Sequence, residues 1–312
     1  MPLDVAYSVC PHDCASSCTL DVELETPDTI GRVRGSPSND YTAGVVCAKV
    51  ARYAERVHHP NRLTQPLRRK GPKSATSALS DFEAISWVEA LDIVAENYIL
   101  AAQKYGPETV WLYNYAGTMG KVQRDGVQGL RNAMGYSRQH NTICSSMMLA
   151  GMKAGLGAQQ GCDPREFADA DLIIIWGSNP AFTQINLMTH ISRARKERGA
   201  KLIVIDPYLT ATARQADMHI RPRPGTDAAL ACGVMHVLFR DGFADRDYMN
   251  KFADDPAALE EHLGSRDPEW SSKLTGVSVA EIEALAADYG VIERSIIRMG
   301  YGFSRSRNGA SS

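Results

Sequence analysis

The stretch Leu172-Ile-Ile-Ile-Trp176-Gly-Ser-Asn-Pro180, answered about 25 residues later by Lys201-Leu-Ile-Val-Ile205-Asp-Pro207, decides how this chain folds. Each apolar run is short, β-branched and unbroken, as expected of a strand covered on both faces. Between them, Gln184 to Arg198 reads as a helix closed by Gly199. Strand, crossover helix and strand in so few residues predict a βαβ unit of a parallel sheet. Ligands of such sheets bind beyond the carboxyl ends of the strands, where this sequence places Gly177-Ser178-Asn179-Pro180 and Asp206-Pro207. An acid at the tip of the second strand suits a ribose contact. Gly-Ser-Asn-Pro is not G-x-G-x-x-G, however, so a nicotinamide site is not indicated. On the residues alone, Asp206 is a strand-ending turn residue as readily as a ligand contact.

Outward from this unit the pattern stays α/β. Ser86-Trp87-Val88-Glu89 reads as a capping box, followed by Trp87, Leu91, Val94, Ala95, Tyr98 and Ala102 at helical spacing until Gly106-Pro107. A strand is expected over Thr109–Tyr113, then a glycine-bearing loop over 116–123. Late helical and strand signals fall at Val279–Tyr289 and Ser295–Met299. The basic run Arg68-Arg69-Lys70-Gly71-Pro72-Lys73 is short and broken by Gly and Pro, so it reads as part of a solvated linker, not a polyanion site. With 312 residues, 44% apolar content and a formal charge of −2, the chain can bury a sizeable core, and no general nucleic-acid role is implied. No apolar stretch approaches the roughly 18 residues of a membrane span.

The N-terminal segment is different in kind. Cys10, Cys14 and Cys18 lie within nine residues, and Cys47 follows inside Gly-Val-Val-Cys-Ala-Lys. Four thiolates suit an iron–sulfur cluster or a zinc ion. Structural zinc sites usually draw on two separated C-x2-4-C knuckles, whereas here one loop supplies three sulfurs and a distant cysteine closes the set, which favours the cluster. A disulfide framework fits poorly with an odd total of seven cysteines.

The segment Cys-Pro-His-Asp-Cys-Ala-Ser-Ser-Cys, with Val-Arg-Gly-Ser-Pro, Gly-Val-Val-Cys-Ala-Lys and His-Pro-Asn-Arg-Leu-Thr-Gln-Pro-Leu-Arg-Arg, resembles the 4Fe-4S domain of the molybdopterin oxidoreductases of the dimethyl-sulfoxide-reductase superfamily. The resemblance runs through nearly the whole chain. It implies an α/β fold in which a small Cys-rich iron–sulfur domain precedes parallel-sheet α/β domains: 1–65 for the cluster, 66–143 for the first half of a second domain, 144–293 for a Rossmann-like third domain, and 294–312 for the start of a return to the second. It also implies that the chain stops before a C-terminal barrel-like domain.

The cofactors implied are a 4Fe-4S cluster on Cys10, Cys14, Cys18 and Cys47, and molybdenum or tungsten on a bis-molybdopterin guanine dinucleotide. Asn141-Thr-Ile-Cys-Ser-Ser-Met147 matches the metal-ligand loop, which puts Cys144 forward as catalytic thiolate ligand and Ser145 as the alternative. Lys49 resembles the cation between cluster and nearest pterin. Gly177, Asn179, Asp206, Gly225, Thr226 and Asp227 resemble the dinucleotide contacts, with a carboxylate accepting paired N–H bonds from guanine. Helix capping is the competing role for Thr226 and Asp227, since Leu230, Val234 and Leu238 follow as an apolar face. Cys162 and Cys232 match no ligand position. The implied partners are a small-molecule substrate and an electron-transfer subunit or carrier, and the expected location is the cytoplasm. The alternative is a non-catalytic fragment or zinc-binding structural module.

Overall fold

The computed structural model describes residues 4–12, 14–114, 121–140, 145–302 and 304–312. It divides into two compact units. The first comprises residues 1–13, 17–38 and 46–140; the second comprises 14–16, 39–45 and 141–312.

In the first unit, β1 (Asp4–Val9), β2 (Thr19–Thr26) and β3 (Thr29–Gly35) form an antiparallel sheet in sequence order. Leu20 and Val33 point to its covered face, where Val50 of the short helix α1 (Ala48–Ala51) packs with them. Helix α2 (Tyr53–Val57) follows. Strands β4 (Leu67–Arg69) and β5 (Phe82–Ala84) pair antiparallel around the stretch expected to be a linker. Arg68 is engaged by Glu83 at 2.5 Å and Glu89 at 2.6 Å, and the Arg69 guanidinium lies 4.4 Å from the Phe82 ring centre. Two charges of the basic run are therefore used locally.

Helix α3 (Trp87–Tyr105) starts where Ser86 accepts a bond from the Glu89 N–H and stops at Gly106, whose φ of +92° favours glycine. The strand expected over Thr109–Tyr113 does not form. Trp111 makes one isolated bridge to Ser137, so this stretch gains no ladder, despite its β-branched and aromatic content. Helix α4 (Lys121–Met134) completes the unit.

The second unit contains α5 (Ser146–Leu156) and is built on β6 (Leu172–Trp176), β7 (Lys201–Ile205), β8 (Met218–Ile220) and β9 (Ser295–Met299), all parallel, in the order β8-β7-β6-β9. The unbroken apolar runs are explained by covering on both faces. Ile173, Ile175, Leu202 and Val204 pack on α7 (Ile185–Arg198), which follows the short α6 (Pro180–Thr183). Leu172, Ile174, Ile203 and Ile205 pack on the other face. There they meet α8 (Asp227–Arg240) and α12 (Val279–Val291), with α9 (Arg246–Phe252), α10 (Pro256–Leu263) and α11 (Pro268–Thr275) between these two in sequence.

This is the predicted α/β architecture with a parallel sheet. The strand expected at Ser295–Met299 forms as β9, paired with β6 from Leu172↔Ser295 to Trp176↔Met299. β6 runs to β7 through α7 on one face, whereas β8 runs to β9, on the other side of β6, through α8–α12 on the opposite face, so the connections change face between β6 and β9, the place where open α/β sheets leave a crevice.

Candidate cofactor sites

In the first unit, Cys10 directly follows β1 and Cys18 directly precedes β2, and the Cys10 N–H donates to the Cys18 carbonyl at 2.8 Å, extending the strand ladder. Cys47 is the residue before α1. These three thiols converge on the Leu20, Val33 and Val50 core, where Cys10, Cys47 and Tyr53 are packed around buried Cys18. Burial, and then the charge of Cys10, push the Tyr53 hydroxyl up, against the opposing pull of Arg56. Its other neighbour is His12, with ring centres 5.6 Å apart. The Nε2 of His12 is buried and has no partner among the described residues. Lys49 lines a groove with His12, Arg52, Tyr53, Arg56 and His59.

Cys14 belongs to the second unit, where its sulfur accepts from the Ser16 N–H at 3.4 Å. The six described cysteines are all free thiols, as metal ligands must be, and the disulfide reading has no support among them. No three described His, Cys, Asp or Glu side chains crowd closely enough to hold a single metal ion. A zinc ion needs all its sulfurs about 2.3 Å from one centre. A cluster spreads its thiolates over separate irons and tolerates wider spacing. The donor set, soft and anionic when deprotonated, fits the cluster.

Around the carboxyl ends of the second unit's strands, the dinucleotide candidates fall into place as follows. Gly177 has φ +61°, and its carbonyl accepts from the Gly302 N–H at 3.1 Å, while the Trp176 carbonyl accepts from the Gly300 N–H at 2.8 Å. A Cβ on Gly302 would lie 2.7 Å from the Gly177 oxygen, so the two loops approach at a distance only glycine allows. Asn179 accepts from the Thr212 hydroxyl at 2.7 Å and from its N–H at 3.3 Å, bracing the β6 loop against the β7–β8 connection. Asp206 accepts from the Tyr208 N–H at 2.9 Å, and burial pushes its carboxyl above the ordinary carboxylate range.

Gly225 has φ +81° and its carbonyl accepts from Asn308 at 3.0 Å. Thr226 holds the position before α8, yet its hydroxyl donates back to the Arg223 carbonyl at 2.6 Å instead of capping the helix. Asp227, 8% exposed, accepts from the Trp176 indole at 2.8 Å and influences Asp206 electrostatically. Trp176 thus holds Asp227, which in turn acts electrostatically on Asp206 at the end of the neighbouring strand.

Cys144 and the loop residues 115–120 lie outside the described residues; Ser145 immediately precedes α5 without a side-chain cap. Sequence reading missed Trp176, Thr212 and the Gly300–Gly302 pair. Only the last carried a signal, a Gly-x-Gly directly after a predicted strand.

A free-thiol loop and a doubly covered parallel sheet with acids at its carboxyl end define a cofactor-binding redox architecture. The molybdopterin oxidoreductase family profile matches residues 62–312, and its Fe4S4 domain profile matches 3–59. The chain belongs to the molybdopterin oxidoreductase family, whose cofactors are a 4Fe-4S cluster and a molybdenum or tungsten bis-pterin guanine dinucleotide.

Among its relatives, "Probable oxidoreductase YoaE" of Bacillus subtilis is 38% identical over 97% of this chain and 44% of that protein. Dimethyl sulfoxide reductase DmsA of Escherichia coli is 28% identical over 98% of this chain and 41% of its own length. Acetylene hydratase from Pelobacter acetylenicus shares the fold, with a TM-score of 0.77 and 22% identity over 98% of this chain and 41% of that one. The chain spans less than half the length of these relatives, in keeping with their N-terminal portion.

Proposed function

We propose that this chain is the N-terminal part of a molybdenum or tungsten bis-pterin oxidoreductase that couples two-electron chemistry on a small-molecule substrate to electron transfer through a 4Fe-4S cluster. When bound, the metal–pterin centre supplies two-electron redox chemistry and the cluster supplies single-electron steps. Cys10, Cys14, Cys18 and Cys47 hold the cluster, Cys144 is the protein ligand to molybdenum or tungsten, and Lys49 stabilises added negative charge between the centres.

At the carboxyl end of the sheet, Gly177 gives close backbone approach and Asn179 fixes the loop that bears it. Asp206 takes ribose or guanine donors. Gly225, Thr226 and Asp227 present the guanine-reading edge, with Asp227 oriented by Trp176. The four domain spans given by the resemblance, 1–65, 66–143, 144–293 and 294–312, are part of this reading. An electron-transfer subunit or carrier is the proposed partner, and free cysteines throughout the described residues suit the reducing cytoplasm. No helix among the described residues is long and apolar enough to cross a membrane.

The observation that carries the reading is the pair of half-buried and buried acids, Asp206 and Asp227, at the ligand edge of a parallel sheet in a chain that also has the four-cysteine segment. Anaerobic purification with metal analysis tests it. About four irons per chain with visible charge-transfer absorption is the expected result. One colourless zinc per chain would instead support a structural module.

A further inference from the structure

Within the second unit, Ile297, Arg298 and Met299 of β9 line a half-enclosed cavity of about 450 Å³ together with Met148 and Met152, one turn apart on α5. The size falls within the range of small-molecule sites, about 300–1,000 Å³. Ile297 is 40% and Met299 39% exposed, and Tyr301, just beyond the strand, is 46% exposed, so apolar surface faces this space without being packed away. None of the described residues assigned above to the cluster or the dinucleotide lines it.

Arg298 is the one charged side chain among the described residues of the wall. Its Nε and Nη2 donate to Oε1 of Gln184 at 3.3 and 3.2 Å, and its Nη1 donates to the Met299 carbonyl. Gln184, 4% exposed, is itself held from the far end, where its Nε2 donates to the Tyr41 hydroxyl at 3.2 Å. The guanidinium is therefore fixed by neutral acceptors alone. Of the acids that act on Cys162 in the same wall, Asp163 pairs with Arg165 at 2.6 Å, and Glu166 makes no ion pair with Arg298.

A guanidinium carries five N–H donors. Three are used here, which leaves one on each terminal nitrogen, and parallel donors of this kind are what a carboxylate accepts. A cation held against apolar walls without a counter-charge carries a desolvation cost that a bound anion offsets. A bare inorganic anion would satisfy the charge but leave the thioether and aliphatic surface in water. A ligand with one carboxylate and an apolar body satisfies both.

We propose that this cavity binds a small apolar monocarboxylate, its oxygens accepting from the terminal nitrogens of Arg298 and its body lying against Met148, Met152 and Met299. Methionine side chains adapt to an irregular ligand and make favourable contacts with aromatic rings, so benzoate is a suitable probe.

The test is equilibrium dialysis of 14C-benzoate against the 312-residue chain. Saturable binding of about one benzoate per chain is expected, with benzamide, its uncharged counterpart, competing about tenfold less well. Arg298→Met keeps the apolar stem and removes the charge, and is expected to weaken benzoate binding about tenfold or more. Absence of saturable binding to the wild type, or equal affinity in Arg298→Met, overturns the proposal.

If Arg298→Met does not fold, Cys162 decides, because this exposed thiol lines the same cavity. Benzoate is expected to slow its alkylation by iodoacetamide in the wild-type chain, followed by peptide mass, whereas benzamide at the same concentration does not. Equal protection by both compounds, or by neither, overturns the proposal.

Discussion

The indole N–H of Trp176, the last residue of β6, donates to the Asp227 carboxylate, the first residue of α8, at 2.8 Å. Strand end and helix start are thereby locked at the edge where the sheet meets its ligand. Trp176→Phe keeps the aromatic packing and deletes the donor to a buried acid. Hydrogen bonds to charged groups contribute about 1.5–3 kcal/mol, and the substitution is expected to cost that much. Urea unfolding checks it through a lower midpoint with an unchanged m-value.

Asp206 carries a pH signature. Burial holds its carboxyl above the ordinary value of 3.8, so the folded chain keeps this proton to higher pH than the unfolded chain does. Stability therefore falls as pH rises from 3.8 through the raised folded value, and the penalty is complete above it. Asp206→Asn keeps an acceptor for the Tyr208 N–H. The variant is expected to be more stable than wild type near neutral pH, with the advantage vanishing below the ordinary carboxyl value. Denaturant titrations across that range measure it, and a gain that persists undiminished in acid contradicts the assignment.

At Gly300, an added Cβ would fall inside the van der Waals shell of the Gly177 carbonyl oxygen, which is backbone and cannot rotate away. Gly300→Ala is expected to cost about 1–3 kcal/mol, the usual penalty for forced overpacking. A similar substitution at Gly155, where nothing lies within 4 Å, serves as the tolerant control in the same thermal melt.

Helix α3 leaves Trp87 67% and Leu91 62% exposed. Leu91→Lys is expected to change the stability of the 312-residue chain by no more than about 0.5 kcal/mol, as for surface positions generally. A loss of several kcal/mol in circular-dichroism melts would show that this face is buried in solution.

Where sequence and structure agree, the pattern was local. Leu172–Trp176 and Lys201–Ile205 were legible because a strand covered on both faces must be apolar at every position. Helix α3 was legible in extent, from Ser86 to Gly106, because capping and termination are set by neighbouring residues. Its periodic apolar face indicated a surface suited to burial but carried no information about what it packs against. Thr109–Tyr113 failed as a strand because strand formation needs a partner that composition cannot supply. Thr226 was legible as the residue before a helix, whereas the choice of its hydroxyl between Asp227's helix and the Arg223 carbonyl depended on the turn at Gly225.

The amino-acid sequence by itself determined the chemistry available: four thiols at a characteristic spacing, glycines and acids placed just beyond apolar strands, and membership in a cofactor-binding class. These are properties of residue type and short-range spacing, which survive without coordinates. Tertiary structure alone decided that Trp176 grips Asp227 across 51 positions and that Ser16 meets Asn186 across 170. It also decided that Gly300 and Gly302 press on the loop of Gly177. Such pairings depend on which strand lies beside which and how a loop is seated on a helix, and those are fixed by collective packing of the whole sheet and its covering helices.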